Sequence, residues 1–262
     1  MDRRPGLAVT LIALAVYVFL LGPLAIVVAT SFSDSEFLTF PPQGFSFRWY
    51  ANVFDVSAFV EIFRISLQLA VGGTFRSLLI GIPAAYALSR FALPVPRLLR
   101  SFFVLPILVP EVVFGFAALT TLNLAFDVPV FPTLLVAHMV IVLPYSVRVV
   151  SASLANFDFA AEEAAISLGA GRAEAFFRIV LPNVRSGVIA AFILAFITSM
   201  NNVPVSLFLT GPGVSTLPIQ MLTYVEYYFD PTIAALSVLL MILTVGVMVV
   251  VEKTLGLSYF AK

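Results

Sequence analysis

The chain has 262 residues, of which 61% are hydrophobic and 11% charged, and its formal net charge is zero. Soluble domains carry about 25% charged residues, so this excess of apolar side chains calls for lipid as solvent, and a zero net charge gives no footing for nucleic acid. Cysteine is absent and His138 is the one histidine, which excludes disulfides, thiolate sites and a histidine-rich metal site.

At roughly 20 apolar residues per span, the length suits about six membrane spans with modest loops. Residues 1–6 are polar and carry Arg3 and Arg4. The uncharged run 7–30 is longer than the roughly 7–15-residue apolar core of a cleaved signal peptide, so it predicts a retained first span, with Gly22-Pro23 as a kink candidate. Residues 31–58 are polar, aromatic and proline-containing. They predict a short extracytoplasmic segment or surface helix, with Trp49 and Tyr50 suited to the membrane interface. A second span, 59–88, carries Arg76 near its middle, and the arginine- and proline-rich stretch 90–100 predicts a short loop. The third span, 101–122, contains Pro106, Pro110 and Glu111, and a loop over 123–132 leads to the fourth, 133–150, with His138 and Pro144-Tyr145. The fifth span is expected at 183–207. A Gly211-Pro212-Gly213 turn lies in the next loop, and the last span, 232–251, runs into a short tail.

Between the fourth and fifth spans lies the segment 151–182, the long polar interruption of the apolar C-terminal half. Asp158 can cap a short helix, and Gly169 can end it by taking a left-handed conformation. Helix formers resume at Arg172, and Leu181-Pro182 opens the next apolar run. Two short helices joined by a glycine elbow make a knob that suits a groove on a partner.

Within this segment, Glu163-Ala164-Ala165, Gly169, Ile179 and Leu181-Pro182 resemble the EAA motif of permease subunits in binding-protein-dependent ABC importers. In that family the motif is the coupling helix that seats in the ATPase subunit. A cytoplasmic helix that only caps the bundle is the alternative. Further stretches resemble the spermidine/putrescine branch of these permeases: Leu105-Pro106 through Pro110-Glu111, then 199–208, then Thr210-Gly211-Pro212 and Leu217-Pro218. The chain departs from that branch at Asn201 and Asn202, where many members carry acidic residues. Related branches handle opines, aminophosphonates, amino-acid derivatives or ferric iron.

Orientation follows from the basic residues. With the amino terminus inside, Arg3, Arg4, Arg90, Arg97, Arg100, Arg148, Arg172, Arg178, Arg185, Lys253 and Lys262 fall on the cytoplasmic side. Arg48 and Arg64 fall outside, and the bias puts the 151–182 knob in the cytoplasm. No G-x-x-x-x-G-K-[ST] phosphate loop is present, so ATP hydrolysis is expected on another chain.

Glu111, about ten residues into the third span, is costly in lipid and is expected to face a wet cavity as a pathway carboxylate or to pair with Arg76. Asn201 and Asn202 can donate and accept hydrogen bonds, either to a passing polar solute or between helices. His138 is expected to be a hydrogen-bonded bundle residue, with a proton relay as the other reading.

These readings converge on an all-α membrane protein of six spans, and the resemblance implies a type I importer permease. Residues 1–58 would form the first span and an extracytoplasmic segment, 59–252 the core with its coupling segment, and 253–262 a cytoplasmic tail. The resemblance implies a bacterial inner-membrane location, two ABC ATPase subunits that bind ATP and magnesium, a second permease subunit and an extracytoplasmic binding protein. No catalytic, metal or cofactor site is expected on this chain. The expected solute is a polyamine, and a secondary transporter without an ATPase is the competing class.

Overall fold

The structure, a computed structural model, describes residues 6–91 and 96–255. The expected tail therefore lies largely outside the described residues, as do Arg3, Arg4 and residues 92–95 of the predicted loop. Two units are described separately, residues 6–60 with 221–245 and residues 61–220 with 246–255.

In the first unit, helix α1 (Leu7–Ser31) spans roughly 37 Å at 1.5 Å per residue and continues through Pro23. Its most apolar window has no buried residue, as suits a helix whose solvent is hydrocarbon. The polar segment after it is built around aromatic rings. Phe32 stacks on Phe45 at 5.2 Å and meets Phe47 edge-on at 5.4 Å. Helix α2 (Arg48–Asp55) is the predicted surface helix. Its Trp49 is buried, and the indole Nε1–H donates to the Ser33 carbonyl at 2.8 Å. Helix α2 is tied to the start of α12 (Thr232–Leu255) by Asn52, whose amide donates to Thr232 Oγ1 at 2.8 Å.

The second unit begins within α3 (Ser57–Arg90), a 34-residue helix that ends in Arg90 rather than before it. Helix α4 is described over Pro96–Leu108. Arg97 and Arg100 are thus helical residues, not the loop residues that their proline-rich context predicts.

The third span is not one straight helix. It breaks at Val109-Pro110, and Ser101–Leu108 and Glu111–Ala125 meet at 97°. Pro110 has no N–H to donate and disfavours helical backbone at Val109, so the ladder cannot pass. Helix α5 (Glu111–Ala118) restarts beyond it and relaxes into a π-helical turn, Leu119–Ala125.

Helix α6 (Val130–Ala155) runs through Pro144 and is longer at both ends than its apolar core suggests. It packs tightly on α3 through small residues. A Cβ on Gly81 would stand 2.8 Å from Ser146 Cβ, and Ser77 and Ser146 share a hydrogen bond of 2.7 Å. Small residues allow this approach where no hydrophobic effect drives helices together in lipid.

Helices α7 (Ala160–Ser167), α8 (Arg172–Ala175) and α9 (Leu181–Asn183) make up the polar interruption, with a π-helical turn, Phe176–Val180, joining the last two. Helix α10 (Arg185–Met200) follows at 71° to the stretch Arg172–Asn183. It ends at Met200, seven residues short of the expected span, and 201–209 is a non-helical cap on the bundle. Beyond it, Gly211 and Val214 close the predicted turn with two hydrogen bonds of 2.9 and 3.0 Å. Pro212 and Gly213 hold its central positions, with Gly213 at φ +73, as a type II turn requires. Helix α11 (Leu217–Tyr227) leads out of this unit.

Among the described residues, four helices, α1, α3, α6 and α12, are each long and apolar enough to cross a membrane, and the count reaches six if each bent pair is one span.

Candidate functional site

The elbow forms as the sequence predicts, with one change at its start. Asp158 stands outside the helix, and its Oδ1 accepts the Ala160 N–H at 2.9 Å. At the other end of α7, Gly169 has φ +98. The Ala170 N–H donates to the Ala165 carbonyl at 3.1 Å and the Gly169 N–H to the Ile166 carbonyl at 2.9 Å. This paired closure is the Schellman motif, which glycine enters without strain. Glu163, Ala164, Gly169 and Pro182 are exposed, while Ala165, Ile179 and Leu181 are half-buried. Leu168, at the tip, is 90% exposed. Pro182 stands in the first helical turn after Val180, as the sequence predicts. It lies in α9, before the bend into α10.

The elbow is held from below. Val180 and Val184 are buried with Leu78 and Ala85 of α3, Val150 and Leu154 of α6 and Ala191 of α10. Tyr86 meets Phe176 edge-on at 4.8 Å. Above this layer sits a charged cluster that the sequence does not announce. Glu162 is 1% exposed. It accepts hydrogen bonds from Tyr86 Oη and, at 2.9 Å, from Arg90 Nε. Arg90 Nη2 also donates to Glu163 at 2.9 Å, so one guanidinium clasps both carboxylates. Its fork of donors suits that double role, which a lysine could not fill. Tyr86, Arg90, Glu162, Glu163 and Arg172 contribute to the wall of a cleft of about 510 Å³. The Glu162-Glu163 doublet and the arginine are visible in the sequence, but which carboxylate is buried depends on how α7 is rolled.

Arg90→Ala is expected to lower stability by about 3 kcal/mol, because it strands a buried carboxylate. The figure is at the low end for breaking a buried pair, since a quarter of Arg90 is in contact with solvent. Thermal unfolding in detergent measures it. An unchanged midpoint would show that Glu162 does not depend on the guanidinium.

The second site lies where α5, α6, α10 and the 201–209 cap meet. Glu111 is the first residue of α5, beyond the break rather than within a continuous helix. There a carboxylate is favoured by the unpaired N–H groups of the first turn. Its Oε2 accepts the Asn202 Nδ2–H at 2.7 Å. Arg76 does not pair with it. That side chain is exposed on α3 and donates to the Gly72 carbonyl of its own helix at 3.1 Å. The two asparagines also part. Asn202 is buried, whereas Asn201 is exposed and donates to the Ile197 carbonyl at 3.1 Å.

His138 is 1% exposed and bonded at both ring nitrogens, to Ser199 Oγ at 2.8 Å and Ser206 Oγ at 3.1 Å. Ser206 Oγ reaches the Asn202 carbonyl at 3.2 Å, and Asn202 Oδ1 accepts the Val205 N–H at 3.1 Å. A Cβ on Gly115 would stand 2.7 Å from the Val205 carbonyl oxygen, so glycine there lets α5 lie against the cap. Glu111, Asn202, Ser206, His138 and Ser199 thus form one continuous polar network.

A family profile described as "Binding-protein-dependent transport system inner membrane component" matches residues 77–255. The chain is similar to the spermidine/putrescine transport system permease protein PotC of Escherichia coli (strain K12), at 30% identity over 242 residues, 92% of this chain and 91% of the relative. It is 29% identical over 232 residues to the putrescine transport system permease protein PotI of the same strain, covering 86% and 82%. A putative 2-aminoethylphosphonate transport system permease protein, PhnV of Salmonella paratyphi A, is 26% identical over 239 residues, covering 90% and 89%. In fold, the chain resembles a bacterial alginate ABC transporter solved in complex with an alginate pentasaccharide-bound periplasmic protein. The TM-score is 0.71 at 14% identity, covering 94% and 92%. The chain therefore belongs to the binding-protein-dependent transport system inner membrane component family, and is an integral-membrane permease subunit of a type I ABC importer.

Proposed function

We propose that this permease passes a small cation of the polyamine class, in the manner of spermidine or putrescine. The observation that carries this reading is Glu111, an acidic side chain at a broken span whose one hydrogen-bond partner among the described residues is a neutral amide. A charge at membrane depth faces a partner or a wet pathway, and broken helices are tolerated where they line a cavity. An ammonium group passing Glu111 would supply the missing positive charge. The names of two relatives point to the same solute class.

Asn202 belongs to the pathway as the group that presents Glu111, and Asn201 as an exposed amide on the same cap. Arg76 is exposed on a long apolar helix, so a second permease subunit or the pathway itself covers it. A solute with both ammonium and anionic groups, such as an aminophosphonate, is the second reading. Asparagine rather than acid at 201 and 202 and the likeness to PhnV favour it.

The energy is supplied by two ATPase chains carrying ATP and magnesium, on which the elbow docks. Glu163 offers a charge to basic groups there, Ala164 and Ala165 keep the surface low, and Gly169 sets the turn. Ile179, Leu181 and Pro182 join the elbow to α10. The amino terminus faces the cytoplasm, and the binding protein delivers solute from the opposite side.

The test is ATP hydrolysis by the copurified complex in lipid, with its binding protein, across polyamines, opines, amino acids, aminophosphonates and ferric iron. Stimulation by spermidine or putrescine is expected. Stimulation by an aminophosphonate alone would replace the polyamine reading with the second one.

A further inference from the structure

The polar network has a direction, and the direction assigns a role to His138. Ser206 has one hydroxyl hydrogen, and its oxygen lies 3.2 Å from the Asn202 carbonyl, which can only accept. With that hydrogen committed, the 3.1 Å contact between Ser206 and His138 Nε2 requires the ring nitrogen to donate. A neutral ring that donates from Nε2 accepts at Nδ1, and Ser199 supplies the hydroxyl hydrogen at 2.8 Å. At the other end, Asn202 Oδ1 is taken by the Val205 N–H, so the side-chain amide can turn only its NH₂ toward Glu111.

We infer that His138 is a positioning residue for solute passage: through Ser206 it fixes the cap so that Asn202 donates to Glu111 Oε2, leaving Oε1 as the acceptor for an ammonium group. Glu111 Oε1 has no hydrogen-bond partner among the described residues. After Met200 the cap keeps only scattered backbone bonds, such as the Leu207 N–H to the Val203 carbonyl at 2.9 Å and the Leu209 N–H to the Ser206 carbonyl at 3.1 Å, and the side-chain bonds of Asn202 and Ser206 add to them in holding its register. His138 is placed to do this by α3, whose Gly73 brings backbone so near that an added Cβ would lie 3.3 Å from His138 Cβ. An oppositely turned Asn202 would present its carbonyl oxygen to Glu111, and two acceptors would then face each other.

This inference rests on the pathway reading of Glu111, and the test separates the two. The full complex is reconstituted in lipid vesicles, and spermidine uptake is measured with saturating loaded binding protein, per assembled complex. His138→Ala and Ser206→Ala are each expected to slow uptake about tenfold, the weight of one structural hydrogen bond at a charged site. His138→Gln, which keeps a donor toward Ser206, is expected to retain most of the activity. In a Glu111→Gln background, His138→Ala should add little, since the group it serves is already gone. A purely structural role would instead lower the yield of complex and multiply with Glu111→Gln. Wild-type uptake by Ser206→Ala, or a fully multiplicative double variant, overturns the positioning role. Wild-type uptake by Glu111→Gln overturns the pathway reading and this inference with it.

Discussion

Replacing Glu111 by glutamine is expected to cut solute uptake roughly 10- to 100-fold while the permease still assembles. Glutamine has nearly the shape of glutamate, and its carbonyl oxygen can still accept the Asn202 amide that lies 2.7 Å away in the wild type. The packing of α5 against the cap, set by Gly115 and Val205, is untouched. What is lost is the negative charge. A hydrogen bond to a charged group is worth about 1.5–3 kcal/mol, and each 1.4 kcal/mol is about tenfold in rate or affinity. Uptake into vesicles, set beside the yield of intact complex, measures it. Normal uptake would remove Glu111 from the pathway. Glu111→Asp keeps the charge but withdraws it by one methylene, and should fall between the two.

Gly169→Val is expected to leave ATP hydrolysis running while uptake per ATP falls about tenfold. Nothing lies within 4 Å of a Cβ built on Gly169, so valine meets no steric obstacle there. The cost is in the backbone alone. At φ +98 an L-residue is strained by roughly 1–2 kcal/mol, and a branched Cβ makes it worse. Relaxing that angle breaks the two hydrogen bonds that close α7 and swings the α7 surface away from α8. Under the proposed docking of the elbow on an ATPase, the fault then lies between that surface and α10. Gly169→Asn is the comparison, because asparagine takes positive φ at less cost than a β-branched residue and should lose less coupling than valine. Wild-type coupling in Gly169→Val would refute the elbow as the transmitting element.

Both substitutions act at positions that the amino-acid pattern singles out, yet the partners of those positions are another matter. Gly169 is legible because a helix stop and a restart leave a left-handed glycine as the economical link, a rule of local backbone sterics. The Gly211-Pro212-Gly213 turn is legible for the same reason. Glu111 is legible as an acidic residue in an apolar run. Its pairing with Arg76 follows only if the third span is straight, which puts the two at similar depth. Pro110 breaks that span by 97°, and the depth argument fails with it.

The sequence by itself determined the helical membrane class, the approximate spans, the elbow and the residues that carry charge into lipid. These follow from hydropathy over about 20 residues, from proline and glycine backbone chemistry and from the spacing of one motif. Only the tertiary structure decided which side chains meet. Glu162 rather than Glu163 is buried, Arg90 clasps both, Asn202 and not Asn201 reaches Glu111, and His138 bridges Ser199 and Ser206. Neighbouring residues on a helix differ by about 100° in direction, so a small roll of α7 exchanges the buried member of the Glu162/Glu163 pair. That roll is set by contacts between helices far apart in the chain, such as Gly81 on Ser146 and Gly115 on Val205, which no local pattern encodes.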